Sequence, residues 1–240
     1  QAEDGIRDAQ ESRGLGDVYK RQPNAGTSAG FQSGRVVIVF GGKTLLNEAG
    51  GTTLNQLIQA GDAMQLIGTE AGNRTGETVA NAGDINGDGI ADLAIAAPMA
   101  GPPATVRRMF DSDYDGTLDA PGIDLNGDGE ADDLDDDGRP DNMAECGVVY
   151  VVFGGRHLKG TISLSQIGTA NLPGLVFMGR RGGDHLGGGH TLTGELARGI
   201  SRAGDLDGDG RDDLLISAIE ADPEGKTNAG EVYLVYGFGL

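Results

Sequence analysis

Two stretches, GDINGDGIADLAIAAP at 83–98 and GDLDGDGRDDLLISA at 204–218, set oxygen-bearing side chains at alternate positions and then turn on glycine. In the first, Asp84, Asn86 and Asp88 precede Gly89 and Asp92; in the second, Asp205, Asp207 and Asp209 precede Gly210 and Asp213. A hard cation that takes six to eight oxygen ligands suits such a loop, with the glycine making the sharp turn. Counted from its first Asp, each nine-residue loop offers side-chain oxygens at its first, third, fifth and ninth positions. The seventh position, Ile90 or Arg211, offers a backbone carbonyl, which tolerates any side chain. An EF-hand closes instead on Glu at its twelfth position, where this chain has Ile95 and Ile216 inside apolar runs. Oxygen-only donors select calcium or magnesium over zinc or copper. The flexible glycine turn favours calcium, because magnesium demands a tighter octahedron.

The same spacing occurs three more times. Asp111, Asp113, Asp115, Thr117 and Asp119 form one copy, and Asp124, Asn126, Asp128, Glu130 and Asp132 a second. Asp133, Asp135, Asp137, Arg139 and Asp141 form the third; Thr117, Glu130 and Arg139 hold the carbonyl position. All three lie in an insertion, roughly residues 103–145: between Asp92 and Gly147 lie 54 residues, between Asp213 and Gly230 only 16. Twelve Asp within residues 111–141 repel one another without metal. With metal, neighbouring loops stack into a knob. The expected cofactor is therefore Ca2+ in the two main loops, with up to three more ions in the insertion.

Each main loop feeds a strand rather than a helix. Three runs bounded by glycine, GRVVIVFGG (34–42), GVVYVVFGG (147–155) and GEVYLVYGFG (230–239), are rich in Val, Ile, Tyr and Phe and read as buried strands. Shorter echoes come after the first two: GTTLNQLIQ (51–59) against GTISLSQIG (160–168), and AMQLIG (63–68) against LVFMG (175–179). The unit reads strand, loop, strand, metal loop, strand, connection, strand, the signature of a four-stranded propeller blade. The predicted fold is all-β: part of a β-propeller of four-stranded antiparallel blades with calcium-binding loops. Leu54, Leu57 and Ile58 allow one helical turn. Residues 1–22 lack periodicity and read as a translated linker tail outside the fold. The predicted division is then 23–42 as the last strand of a truncated blade, 43–155 as a blade carrying the insertion, and 156–240 as another. Propellers close with four to eight blades, so the chain reads as a fragment, with further blades of the same chain among its expected partners.

The composition narrows the function. A formal charge of −19 and a pI near 4.3 exclude a nucleic-acid surface, which needs Lys and Arg against phosphate. No apolar run of 18 residues exists to span a membrane. Cys146 is the single cysteine, so no intramolecular disulfide forms, and a free, buried thiol is expected. His185 and His190 are expected as exposed turn residues, and Arg107-Arg108 as balance for the acidic insertion. No nucleophile elbow is present and nearly every Asp belongs to a loop, so no enzyme is expected. The expected location is secreted or cell-surface, with any signal peptide outside this sequence.

The two main loops, with GNRTGETVANAG before the first and GVVYVVFGG after it, resemble the FG-GAP repeat of the integrin α-subunit propeller and its bacterial relatives. The resemblance covers about residues 31–240 apart from the insertion, which looks like thrombospondin type 3 calcium loops. It implies a seven-bladed propeller with calcium in the turn between the first two strands of a blade. It also implies adhesion to, or binding of, an extracellular protein or glycan. The naming residues depart from the pattern: Thr75-Gly76 and Leu186-Gly187 stand for Phe-Gly, and Ala96-Ala97-Pro98 and Ser217-Ala218-Ile219 for Gly-Ala-Pro. An accessory propeller of an exported phospholipase-like hydrolase and a carbohydrate-binding propeller are the alternatives.

Overall fold

The computed structural model describes residues 18–41, 52–110, 112, 117–118, 120–134, 140–156, 158–190 and 196–239. The chain is all-β, with one short helix among the described residues. One sheet is a complete blade: β4 (Val79–Gly83), β5 (Asp92–Ala97), β8 (Val148–Val152) and β10 (Gly174–Met178) pair antiparallel in chain order. Before it stands a sheet of β1 (Val18–Gln22), β2 (Arg35–Val39) and β3 (Ala63–Ile67), with β9 (Gly160–Ser163) added in parallel to β3. After it stands β13 (Ile200–Gly204), β14 (Asp213–Ala218) and β15 (Glu231–Val235). Two hairpins, β6 (Arg107–Phe110) with β7 (Ala120–Ile123) and β11 (Gly188–His190) with β12 (Leu196–Arg198), lie in the connections. The arrangement is a partial β-propeller.

The repeat therefore has a different phase from the one read in the sequence. The strands at 63–67 and 174–178 pair back onto the long strands before them rather than opening the next unit, so the complete blade is 79–178. Short connections favour antiparallel pairing of neighbours in the chain. Residues 18–22, assigned by sequence to a tail outside the fold, form β1 on the edge of the first sheet. Arg35 Nε donates to Gln22 Oε1 at 2.6 Å and Arg21 donates to the Glu77 carbonyl, which ties this strand to both neighbours. Residues 1–17 lie outside the described residues.

Strands buried on both faces read as continuous apolar runs, and here the two faces serve two different cores. Leu93, Ile95, Ala97, Val148, Tyr150 and Val152 pack with Val36, Ile38, Met64 and Leu66 of the preceding sheet. The alternate residues Ala94, Ala96, Val149, Val151 and Phe153 pack with Leu214, Ile216 and Ala218 of the following one. Period-two alternation thus places each core between blades. Helix α1 (Leu54–Ala60) covers the far face of the first sheet, with Leu57 on Val37 and Ala63. It runs about two turns, longer than the single turn expected, because Thr53 and Gln56 form a capping box at its start and Gly61 adopts the left-handed conformation at its end.

The substituted family positions keep their places in the fold. Thr75 and Leu186 are buried, and the glycines after them donate to equivalent carbonyls, Gly76 to Ala96 O and Gly187 to Ser217 O, each at 2.8 Å. Both glycines have φ of +88°, and a Cβ on Gly187 would sit 2.7 Å from Ala96 Cβ and Val149 Cγ2. The sheets approach too closely there for a side chain.

Candidate metal centres

The turn between β4 and β5 and the turn between β13 and β14 are built alike. Asp84 Oδ1 accepts from the Gly87 and Asp88 amides and Oδ2 from Gly89; Asp205 accepts in the same way from Gly208 and Gly210. The third and fifth residues each cap the amide two places on: Asn86 to Asp88, Asp88 to Ile90, Asp207 to Asp209 and Asp209 to Arg211. These local side-chain turns are what Asp and Asn offer a backbone that is neither helix nor strand. They curl five residues so that their carboxylates face one another.

The loop at 124–132 has the same skeleton. Asp124 accepts from Gly127 and Gly129, Asn126 from Asp128, and Asp128 from Glu130. In all four loops whose ninth residue is described, that Asp accepts from the amide of the second residue: Ile85 to Asp92, Leu125 to Asp132, Leu134 to Asp141 and Leu206 to Asp213, at 2.6–3.0 Å. Of the loop starting at Asp133, only Asp133 and Asp141 among its expected ligands are described. Asp135, Asp137 and Arg139 lie outside the described residues, as do Asp111, Asp113, Asp115 and Asp119; Thr117 is described.

The ninth carboxylate also reaches across its blade. Asp92 Oδ1 accepts from Gly154 N at 2.8 Å and Asp213 Oδ1 from Gly237 N at 2.9 Å, so each ties its loop to the chain just beyond the blade's third strand. Both residues are buried, Asp213 completely. Burial pushes the Asp92 carboxyl up to about 6, with Asp88 and Asp84 adding to the rise and the Gly154 and Ile85 amides opposing it. At Asp209, the Arg211 amide, helped by the Arg211 guanidinium, holds the carboxyl below its usual value.

A cation fits this donor set. Carboxylate oxygens of Asp205, Asp207 and Asp209 all lie within 4.8 Å of one another, a spread that an ion with ligands at about 2.3–2.6 Å can bridge. Each oxygen that accepts one backbone hydrogen bond keeps a second lone pair for a metal. Asp84, Asn86 and Asp88 offer the equivalent oxygens in the first loop, and Asp124, Asn126 and Asp128 in the insertion.

Basic and acidic partners missed in the sequence surround these loops. Arg108 balances the insertion's charge at one defined carboxylate, its Nη2 lying 3.0 Å from Asp124 Oδ2, whose side chain is fully buried, whereas Arg107 pairs with Glu70, outside the insertion, at 2.9 Å. Arg211 turns its guanidinium onto Asp209, 2.6 Å away. Asp212, overlooked beside Asp213, bonds to the other blade's loop at Asp84. The one signal available was the Asp212-Asp213 doublet, where the other loops have a single Asp. His185 is half-buried rather than exposed, with Nδ1 2.9 Å from Glu220 Oε2 and Nε2 3.4 Å from Glu145 Oε2. The His190 side chain is outside the description. Cys146 is buried beside Ile123 and Met143, and burial pushes its thiol up to about 12.

The family model described as FG-GAP repeat matches residues 75–118 and 200–235. Each match begins near the first strand of a blade and runs through its Asp-rich turn. No curated protein matches the chain.

Proposed function

The FG-GAP repeat model matches the chain at two places, each over a blade's first strand and Asp-rich turn, and from that premise we propose that the chain is a calcium-stabilised propeller segment, with repeats of the integrin α-like kind, of a secreted or cell-surface protein. Its role is to bind an extracellular partner, protein or glycan, without chemistry of its own. FG-GAP repeats build propeller-like repeat domains, and no helix among the described residues is long and apolar enough to cross a membrane. The observation that carries the calcium reading is the convergence of Asp205, Asp207 and Asp209 on a backbone scaffold repeated at Asp84 and Asp124. Calcium supplies positive charge that neither Arg108 nor Arg211 can match for three carboxylates at once. The blade ligands are Asp84, Asn86, Asp88, the Ile90 carbonyl and Asp92, and Asp205, Asp207, Asp209, the Arg211 carbonyl and Asp213. The insertion loops are further, secondary sites.

Extracellular calcium loops bind at about 10⁻⁴–10⁻³ M. At 10 mM calcium each occupied site then adds about 1.4–2.7 kcal/mol of stability. Two blade sites should raise the melting temperature by on the order of 10 °C, and EDTA should reverse the rise. Scanning calorimetry with and without calcium checks this. A melting temperature indifferent to calcium, together with no titration heat at millimolar calcium, would end the reading.

A further inference from the structure

Asp212 is the eighth residue of its loop, a position held by Ala91, Leu118, Ala131 and Pro140 in the others, so no ligand pattern calls for a carboxylate there. Its side chain turns away from its own loop. Oδ2 accepts from the Asp84 amide at 2.8 Å, and the Asp212 amide donates to the Asp84 carbonyl at 2.9 Å. Oδ1 meanwhile accepts from Arg202 Nε at 2.8 Å and Nη2 at 2.6 Å, so β13 fixes the orientation of the carboxylate. Both peptide groups of Asp84, the first residue of the other loop, are thus held by one residue of the next blade. Gly83 makes room for it: a Cβ there would stand 2.2 Å from Asp212 Oδ2. A second bridge runs alongside. Gly237 donates to Asp213 of one loop, and the next residue, Phe238, donates to the Ile85 carbonyl of the other at 2.9 Å.

We infer that the two blade loops bind calcium cooperatively, and that Asp212 is the positioning residue that couples them. The inference rests on the calcium reading of these loops. Asp212 lies between the Arg211 carbonyl and Asp213, so a cation that orders the second loop also fixes Asp212. The fixed residue in turn orders Asp84, the first ligand of the other loop. The conformational entropy of that backbone is then lost once rather than twice, which gives positive coupling without a change of shape. By linkage the effect is reciprocal. Repulsion between the two ions opposes it, and solvent at the exposed stretches 87–90 and 205–210 screens part of that repulsion.

The test is a calcium titration of the whole chain, reading the amide resonances of Gly87 and Gly89 for the first loop and of Gly208 and Gly210 for the second. D205N/D207N disables the second loop. In the otherwise native chain this should weaken calcium binding at the first loop by about fivefold or more. In a D212A background the same change should be under about twofold. Arg202→Gln leaves the fold's buried parts untouched and frees the Asp212 carboxylate, so it should reduce the coupling too. Asp212→Asn keeps an acceptor for the Asp84 amide and should retain part of it. The coupling is overturned if the first loop ignores the second, or if the loss is equally large with and without Asp212 and Arg202. If no loop responds to calcium in the native chain, the calcium reading itself falls and takes the coupling with it.

Discussion

Asp92 and Asp213 close equivalent loops, and each spends both carboxylate oxygens on backbone amides of its own blade. Their chemistry is that of a staple. Asp92 bears a measurable consequence. Its carboxyl titrates near 6 when folded and near 3.8 when free, so the folded chain holds this proton more tightly than the unfolded one. That contribution to stability is complete below about pH 4 and is lost as the pH rises to about 6, an effect of about 3 kcal/mol. In calcium-free solution, urea unfolding at pH 4.5 and 6.5 should therefore show a component that falls with rising pH and disappears in Asp92→Asn. A variant with the native slope would contradict it. Calcium, placed against the same carboxylate, should suppress this component in the native chain, because an adjacent cation favours the ionised form.

At the scale of elements, near-copies of one sequence take different local structures. TLNQ at 53–56 and SLSQ at 163–166 align, yet the first opens helix α1 while the second starts on the last residue of β9 and makes only a short 3-10 turn. Both begin with a capping hydroxyl, Thr53 to the Gln56 amide and Ser163 to the Ser165 amide. The difference lies in the residues immediately C-terminal to each cap. Leu57 and Ile58 continue a helical face in the first copy, whereas Ile167, Thr169 and Leu172 bridge to one another in the second. Thr53→Ala should cost about 1 kcal/mol. Because α1 lies over Val37 and Val39, hydrogen exchange should rise in β2 before the other sheets. Uniform loss of protection across the three sheets would argue against a local role for this cap.

Across the whole molecule, a residue's worth depends on which neighbour its sheet has. Val149 and Val232 occupy the same place in the third strand of successive blades. Val149 is completely buried against the next sheet, while Val232 is 68% exposed, with Leu234 and Tyr236 beside it. Val149→Ala removes two buried methyl groups and should cost about 2 kcal/mol in urea unfolding. Val232→Ala should change stability by less than about 0.5 kcal/mol. Equal losses at the two positions would mean that the last sheet is covered in solution.

The long strands of the blades and the turns at 84–92, 124–132 and 205–213 were legible from local chemistry alone. Glycine-bounded Val, Ile and Tyr runs form strands, although the run at 230–239, expected as buried, leaves Val232 and Leu234 exposed on one face, and Asp or Asn at alternate positions before glycine folds its own turn with few outside contacts. Gly76 and Gly187 marked their positions even with Phe replaced. Grouping those strands into blades was not legible, because a repeat has no intrinsic starting point and only hydrogen bonding decides which neighbours pair. The same holds for β1, whose five residues become a strand only against β2. It holds most of all for Asp212 and Arg108: their partners lie 128 residues away at Asp84 and across a hairpin at Asp124. A sequence read in windows of nine specifies a loop, whereas the packing of one blade on the next decides which loops touch.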